Sequence, residues 1–184
     1  MENLTIRELM SPVEDFPRVS SETTFYDTLI ALEKSQKDFK AGKSKQRILL
    51  VEDRDGTILG KVSPMDLIKG LEANYEKIEK PDTLYRWGLS YVLESMKEDY
   101  RLWQKPLADL CRRSAELKVE LFATKPSKGH MVSVDDSIDQ AFHLFVMARH
   151  DSLFVMEKDK VVGLLRFSDV YRKISEELKQ CVFS

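Results

Sequence analysis

The stretch Gly60-Lys61-Val62-Ser63-Pro64-Met65-Asp66 occurs twice in this chain, the second time as Gly163-Leu164-Leu165-Arg166-Phe167-Ser168-Asp169. Each copy begins with a glycine, which is followed by two further residues and then by the residue at which a helix is entered. An aspartate follows three residues after that entry. A unit that occurs twice is read first as a structural repeat. The sequence therefore predicts two copies of one supersecondary unit.

The residues before the first stretch predict a short extended segment, a helix and a hairpin. Thr24 is a suitable N-cap for an amphipathic helix over 25–35. Two apolar runs predict a hairpin over 48–62, and Asp53-Arg54-Asp55-Gly56 between them has the composition of a turn. The Ser63 hydroxyl can cap the helix that follows. The first copy thus reads strand, helix, strand, strand, helix.

The same series precedes the second stretch. Ser137-Ile138-Asp139-Gln140 has the pattern of a capping box, and the apolar stripe after it predicts a helix. Strands are expected at 152–155 and 161–162, on either side of a turn at 157–159. The first copy is longer than the second. The polar, lysine-rich residues 36–46 account for most of the difference, so we expect them to form a surface insertion.

The region between the copies, residues 72–118, is predicted to be a helical linker, because two apolar stripes recur there at steps of three and four residues. The first stripe is Tyr85, Leu89, Val92, Met96, Tyr100 and Trp103, and the second is Leu107, Leu110, Ser114, Leu117 and Leu121. The predicted fold class is α+β, with β-α-β-β-α repeats over 1–71 and 119–184. One copy has too little core to be stable alone, so we expect the two to pack together about a pseudo-two-fold axis.

Composition excludes several classes of function. The chain of 184 residues has 29 Lys and Arg against 31 Asp and Glu, so its net charge of −2 does not favour binding to nucleic acid or to a membrane surface. No apolar run approaches the ~20 residues that span a bilayer, and the N-terminus lacks the pattern of a signal peptide. Two cysteines form neither a metal motif nor a disulfide framework. We therefore expect a cytoplasmic protein.

The chain resembles a tandem pair of cystathionine-β-synthase (CBS) domains, also called a Bateman module. The resemblance covers residues 4–71 and 117–178. It is carried by Leu9-Met10-Ser11-Pro12, the strand–turn–strand over 51–60, Ser63 with Asp66, the second strand–turn–strand over 155–163, and Ser168-Asp169. The long helical linker departs from the family, whose two copies usually lie closer together.

The resemblance implies a regulatory module that binds adenosine compounds (AMP, ADP, ATP or S-adenosylmethionine) in two clefts between the copies and requires no further cofactor. Such pairs often form homodimers, and ligand binding changes the conformation of an attached enzyme, channel or effector protein. By position, Asp66 and Asp169 would bind ribose hydroxyls. Ser63, Arg166 and Ser168 would face phosphates, and Arg47 and the residues His150 to Ser152 would flank the adenine.

The residues themselves fit this chemistry. A carboxylate offers acceptors to both hydroxyls of a vicinal diol, and the unpaired N–H groups of a helix N-terminus bind phosphate. A structural alternative stays open at both aspartates, since a carboxylate in a first turn also stabilises a helix through its dipole. Ser63 could likewise be a plain cap.

Arg166 stands where the first copy has Ser63, and Met65 stands where the second copy has Ser168. Arginine cannot cap a helix, but it pairs with phosphate oxygens in a fork. The two sites should therefore differ, with the Arg166 side preferring more phosphates. Alternatively, Arg166 forms a salt bridge with a surface carboxylate.

Other charged and titratable residues point to less specific roles. The three histidines, His130, His143 and His150, lack the spacing of a metal site. A basic run is predicted to be a solvated surface; it consists of Lys34, Lys37, Lys40, Lys43, Lys45 and Arg47. Because the sequence contains no recognisable catalytic motif, we expect no enzyme activity. The alternative function is an interaction scaffold without ligand, acting through its helical linker.

Overall fold

The computed structural model describes residues 5–72, 75, 95 and 98–182. In chain order the elements are α1 (Ile6–Leu9), β1 (Ser11–Pro12), a 3-10 turn (Val13–Asp15), β2 (Arg18–Ser20), α2 (Phe25–Lys40), β3 (Leu49–Glu52), β4 (Ile58–Val62), α3 (Pro64–Leu71), α4 (Leu107–Ser114), a second 3-10 turn (Val119–Leu121), β5 (Met131–Ser133), α5 (Ile138–Ala148), β6 (Ser152–Glu157), β7 (Lys160–Arg166) and α6 (Phe167–Val182). The predicted α+β class is confirmed, and both copies follow the predicted order β-α-β-β-α.

The chain divides into two compact units. The first-copy unit spans residues 17–124, and the second-copy unit combines residues up to Phe16 with those from Lys125 onward. These boundaries differ from the predicted segments 1–71 and 119–184. The first sixteen residues cluster with the second copy, and the residues up to Thr124 cluster with the first.

The first-copy unit contains a three-stranded sheet in the order β2-β3-β4, with β2 parallel and β4 antiparallel to β3. The predicted turn is confirmed. Gly56 has a φ of +78°, and Asp53 Oδ1 accepts hydrogen bonds from the amides of Asp55 (2.9 Å) and Thr57 (2.8 Å). The core of this unit consists of Phe25, Leu32, Leu49, Val51, Val62, Leu67, Val119 and Phe122.

The second-copy unit contains a four-stranded sheet in the order β1-β7-β6-β5. Its outer strand β1 comes from the N-terminus and pairs with β7, with Ser11 opposite Leu164. Ile6 is fully buried in the core of this unit. Arg7 donates a 2.7 Å hydrogen bond to Glu157, which lowers the pKa of that carboxyl. The N-terminal residues are therefore an integral part of the second-copy unit.

An isolated bridge joins Thr124, just after the linker, to the first copy in the same way as β1 joins β7. Thr124 pairs with Lys61 through two backbone hydrogen bonds of 2.9 and 3.0 Å. Lys61 and Leu164 are the second residues of the two repeated stretches, so Thr124 and Ser11 occupy matching positions. The compact units follow from this pairing, because the residues that precede one copy in sequence pair with the hairpin of the other copy.

The expected surface insertion at 36–46 is only partly correct. Helix α2 continues to Lys40 instead of ending near residue 35. The end of the following loop is bonded back to the helix, where Gln36 donates a 2.6 Å hydrogen bond to the carbonyl of Arg47. Gln46 is only 1% exposed. The basic side chains of this region are nevertheless exposed, as the prediction of a solvated surface requires.

The helical linker is confirmed only in part. Tyr85, Leu89, Val92 and Met96 of the first stripe lie outside the described residues. Tyr100 and Trp103, which were expected to continue that helix, lie in a turn, and Trp103 has a φ of +57°. Helix α4 buries Leu110 and Ser114 of the second stripe, but Leu107 is 61% exposed.

The helix entries follow the predictions with one exception. Thr24 caps α2, since its Oγ1 accepts a 3.1 Å hydrogen bond from the amide of Asp27. Ser137 precedes α5 as expected, but its side chain makes no capping hydrogen bond. In the described part of the chain, no helix combines the length and apolar character needed to cross a membrane.

Candidate functional site

The predicted site residues lie at one end of each sheet. In the first-copy unit, Arg47 precedes β3 and Ser63 follows β4, and these strands are antiparallel with Leu49 opposite Val62. In the second-copy unit, Ser152 at the start of β6 lies directly opposite Arg166 at the end of β7. The antiparallel hairpins thus bring strand entry and helix entry together. The structure forms two groups of candidate residues, one in each unit.

Asp66 is buried in the first-copy unit, with 3% of the residue exposed. Its Oδ2 accepts hydrogen bonds from the Ser63 amide (2.8 Å) and the Ser63 hydroxyl (2.6 Å), which completes a capping box at the N-terminus of α3. The capping contacts that the sequence allowed for Ser63 and Asp66 are therefore present. A ligand role for either residue stays a prediction.

Thr124 is a contact of Asp66 that the sequence analysis missed. Its Oγ1 donates a 2.5 Å hydrogen bond to Asp66 Oδ1 from a position 58 residues further along the chain. The repeat alignment contained the signal, because Thr124 stands where the first copy has Ser11 of Leu9-Met10-Ser11-Pro12. Only the fold reveals that this position reaches the aspartate.

Asp169 is also buried, with 9% of the residue exposed. Arg166 forms a bidentate ion pair (a fork) with Asp169, with Nε 2.6 Å from Oδ2 and Nη2 2.9 Å from Oδ1. Arg172 adds a contact of 3.3 Å to Oδ1. The salt bridge considered for Arg166 therefore exists, but its partner is the buried carboxylate of the same motif and not a surface carboxylate.

The two copies hold their aspartates by different chemistry. Ser63 supplies a neutral hydroxyl and an amide to Asp66, whereas Arg166 supplies a charged guanidinium to Asp169. Charge-assisted bidentate pairs are stronger than neutral hydrogen bonds, so the second-copy carboxylate is the more firmly compensated. The two sites therefore differ in their hydrogen bonds, and the expected preference of the Arg166 side for more phosphates stays a prediction.

Ser168 and Met65 occupy the same position in the first turns of α6 and α3, and both are exposed. Ser168 is accessible to a ligand at the N-terminus of α6. Arg47 is also exposed, and its carbonyl is bonded by Gln36. Ser152 is buried at 3% exposure, and its hydroxyl donates to Asp151 Oδ1 at 3.2 Å.

His150 stacks on His130, with ring centroids 3.5 Å apart and planes inclined by 33°. His150 Nε2 lies 3.0 Å from the carbonyl of Gly129, and His130 Nδ1 lies 3.1 Å from Ser127 Oγ. The sequence placed both histidines at strand entries but did not predict their contact. Among the residues described here, no three His, Cys, Asp or Glu side chains gather as a metal site would require.

Comparison with known proteins gives a family match for the second copy. Residues 122–176 match the family model described as CBS domain. No curated protein sequence matches the chain.

Solved structures match nearly the whole chain. A CBS domain-containing protein of unknown function from Bacillus anthracis aligns with a TM-score of 0.61 and 15% identity over 95% of this chain and 94% of its own. CBSX2, solved in complex with AMP, aligns with a TM-score of 0.58 and 19% identity over 95% and 98%. A CBS domain pair/ACT domain protein from Thermotoga maritima aligns with a TM-score of 0.51 and 16% identity over 95% and 99%. At these identities the likeness concerns the fold.

Proposed function

We propose that this chain, whose residues 122–176 form a CBS domain and whose fold is that of a CBS domain pair, is a regulatory module that binds adenine nucleotides. It has no catalytic activity of its own, and binding changes the conformation that an effector protein recognises. The cytoplasm is the proposed compartment, which suits the exposed free thiol of Cys111.

One observation carries the proposal. In each unit a buried aspartate lies in the first turn of a helix, at the end of the sheet where strand entries and helix entries meet. A carboxylate there can accept hydrogen bonds from a ribose diol, while the amides of the same helix N-terminus can bind phosphate. The AMP bound by CBSX2, which shares the fold, supports this choice of ligand.

Thermal unfolding with AMP, ADP, ATP and S-adenosylmethionine tests the proposal. A ligand at 100 times its Kd should add about 2.7 kcal/mol to the free energy of unfolding. A matched control is 2′,3′-dideoxyadenosine monophosphate, which lacks the diol and should stabilise far less than AMP. If none of the four compounds raises the Tm at millimolar concentration, the module does not sense adenine nucleotides.

A second candidate function is supported by a specific observation. Both aspartates are already paired and nearly inaccessible, which suits a scaffold that binds no ligand. Its interaction surface would include the exposed apolar side chains of α6, namely Phe167 (45% exposed), Tyr171 (62%) and Leu178 (59%). Apolar and aromatic side chains are typical of protein interfaces, so we propose that the chain forms a homodimer under either function.

Native mass spectrometry of the purified protein separates the two candidates. The sensor predicts a dimer that carries or takes up nucleotide, and the double variant Asp66→Asn/Asp169→Asn should lose that uptake. The scaffold predicts a dimer whose mass never includes a ligand and whose assembly the double variant leaves unchanged.

A further inference from the structure

The side chain of Asp66 is 4% exposed, so the groups that cover it control access to it. We propose that Thr124 is a gate on Asp66, and that a ligand hydroxyl at Asp66 releases the chain segment that ends at Thr124. This inference rests on the proposed function, because it requires a ligand with a hydroxyl group at this carboxylate.

Three residues lie closest to the carboxylate. Ser63 occupies Oδ2 with two hydrogen bonds, Thr124 occupies Oδ1, and Lys69 Nζ lies 4.0 Å from Oδ1. Because the side chain is 4% exposed, a ligand hydroxyl gains access to Oδ1 by taking the place of one of these groups. Ser63 is fixed by the same helical turn as Asp66. Thr124 belongs to a distant part of the chain, and its Oγ1 is a neutral donor like the ribose hydroxyl that would replace it.

Residues 114–124, which we call the return segment, run along α3 and hold both of its ends. Ser114 Oγ donates hydrogen bonds to the carbonyls of Gly70 and Leu71 at the C-terminal end, each at 3.3 Å. Phe122 packs so closely on Gly70 that a Cβ there would lie 2.7 Å from its ring. Thr124 secures the N-terminal end. Movement of Thr124 therefore acts on the return segment, which follows the linker in sequence and is bonded to α3.

In the second copy the groups that bond the aspartate come from its own helix entry. Arg166 and Arg172, which bond Asp169, are side chains of the same helix entry and first turns, and the Arg172 side chain is 71% exposed. In the first copy, by contrast, Thr124 bonds the aspartate from 58 residues further along the chain, so the gate acts on the return segment.

The test compares the wild-type protein with Thr124→Val, which keeps the shape but removes the hydroxyl, and with Thr124→Ser, which keeps the hydroxyl. AMP affinity is measured by calorimetry, and amide hydrogen exchange is followed at Lys61 and at 119–124 with and without saturating AMP. In the wild type, AMP should speed exchange of the Lys61 and Thr124 amides several-fold, because each donates to the other's carbonyl. Thr124→Val should bind AMP about five-fold tighter, since no hydrogen bond to the carboxylate has to be broken.

Thr124→Ser should behave as the wild type in both measurements. If Thr124→Val does not fold, Thr124→Ala replaces it in the same comparison. The gate is excluded if wild-type protein binds AMP but the folded variant binds no tighter, or if AMP protects the Lys61 and Thr124 amides. If the wild type binds none of AMP, ADP, ATP and S-adenosylmethionine, the proposed function and the gate both fail. If it binds AMP and the folded variant binds no tighter, only the gate fails.

Discussion

At the scale of single residues, Arg166 replaces a helix cap with a salt bridge. Removing it in Arg166→Ala takes away the bidentate partner of the buried Asp169 and leaves the longer contact from Arg172, so it should lower the free energy of unfolding by about 1–3 kcal/mol. Arg166→Ser should recover part of this loss, because a serine at this position can donate to Asp169 as Ser63 does to Asp66. Urea unfolding measures both variants.

The control for Arg166 is Arg172→Ala. The Arg172 side chain is 71% exposed and makes the longer contact, so its loss should cost no more than about 0.5 kcal/mol. Equal midpoints for Arg166→Ala and Arg172→Ala would show that the fork does not stabilise the helix entry.

At the scale of elements, glycine at the head of each repeated stretch permits a close backbone approach. A Cβ at Gly163 would lie 2.6 Å from the carbonyl oxygen of Ser11, which is backbone and cannot move without β1. Gly163→Ala should therefore displace β1 from β7 and destabilise the second-copy unit by about 1–3 kcal/mol. Gly129→Ala is a matched control, since a Cβ there meets nothing within 4 Å. Urea unfolding of both variants checks the prediction, and similar losses for the two would contradict it.

Much of the element pattern could be predicted because it depends on local chemistry. Thr24, Gly56 and Ser63 lie at caps and turns whose hydrogen bonds form within a few residues, and all three behave as expected. The end of α2 was misjudged because polarity at 36–40 does not terminate a helix; an amphipathic helix can expose such residues.

The long-range features were not predictable from these patterns. The contact of Thr124 with Asp66 and the stack of His130 on His150 depend on side chains that the fold brings together. The sequence identified Ser63 and Asp66 as candidates but not Thr124, which lies 58 residues beyond Asp66. Periodicity reports the face of an element and not which distant residue covers it.

At the scale of the whole molecule, the chain contributes to each unit from two separate regions. Residues near the N-terminus complete the second-copy unit, and residues at the end of the linker complete the first-copy unit. A core substitution in one of these two segments should therefore destabilise the copy with which the segment packs, and not the copy that follows it in sequence. Ile6 is a suitable residue for this test, because it is 0% exposed to solvent and packs in the second-copy core.

Ile6→Ala should cost about 2–5 kcal/mol, because it leaves a cavity in a packed core. Amide hydrogen exchange should speed up at 131–133 and 152–166, while 49–62 keeps its protection. Phe122→Ala is the reciprocal variant: it should expose the amides of 49–62 and spare those of 152–166, since Phe122 packs in the first-copy core. If Ile6→Ala instead loosens 17–62, the N-terminus folds with the copy that follows it in sequence, and the pairing of β1 with β7 is wrong. The two variants together test whether each copy is completed by the segment that precedes the other copy in sequence. The gate at Thr124 depends on this connectivity, because Thr124 must pack with the first copy to reach Asp66.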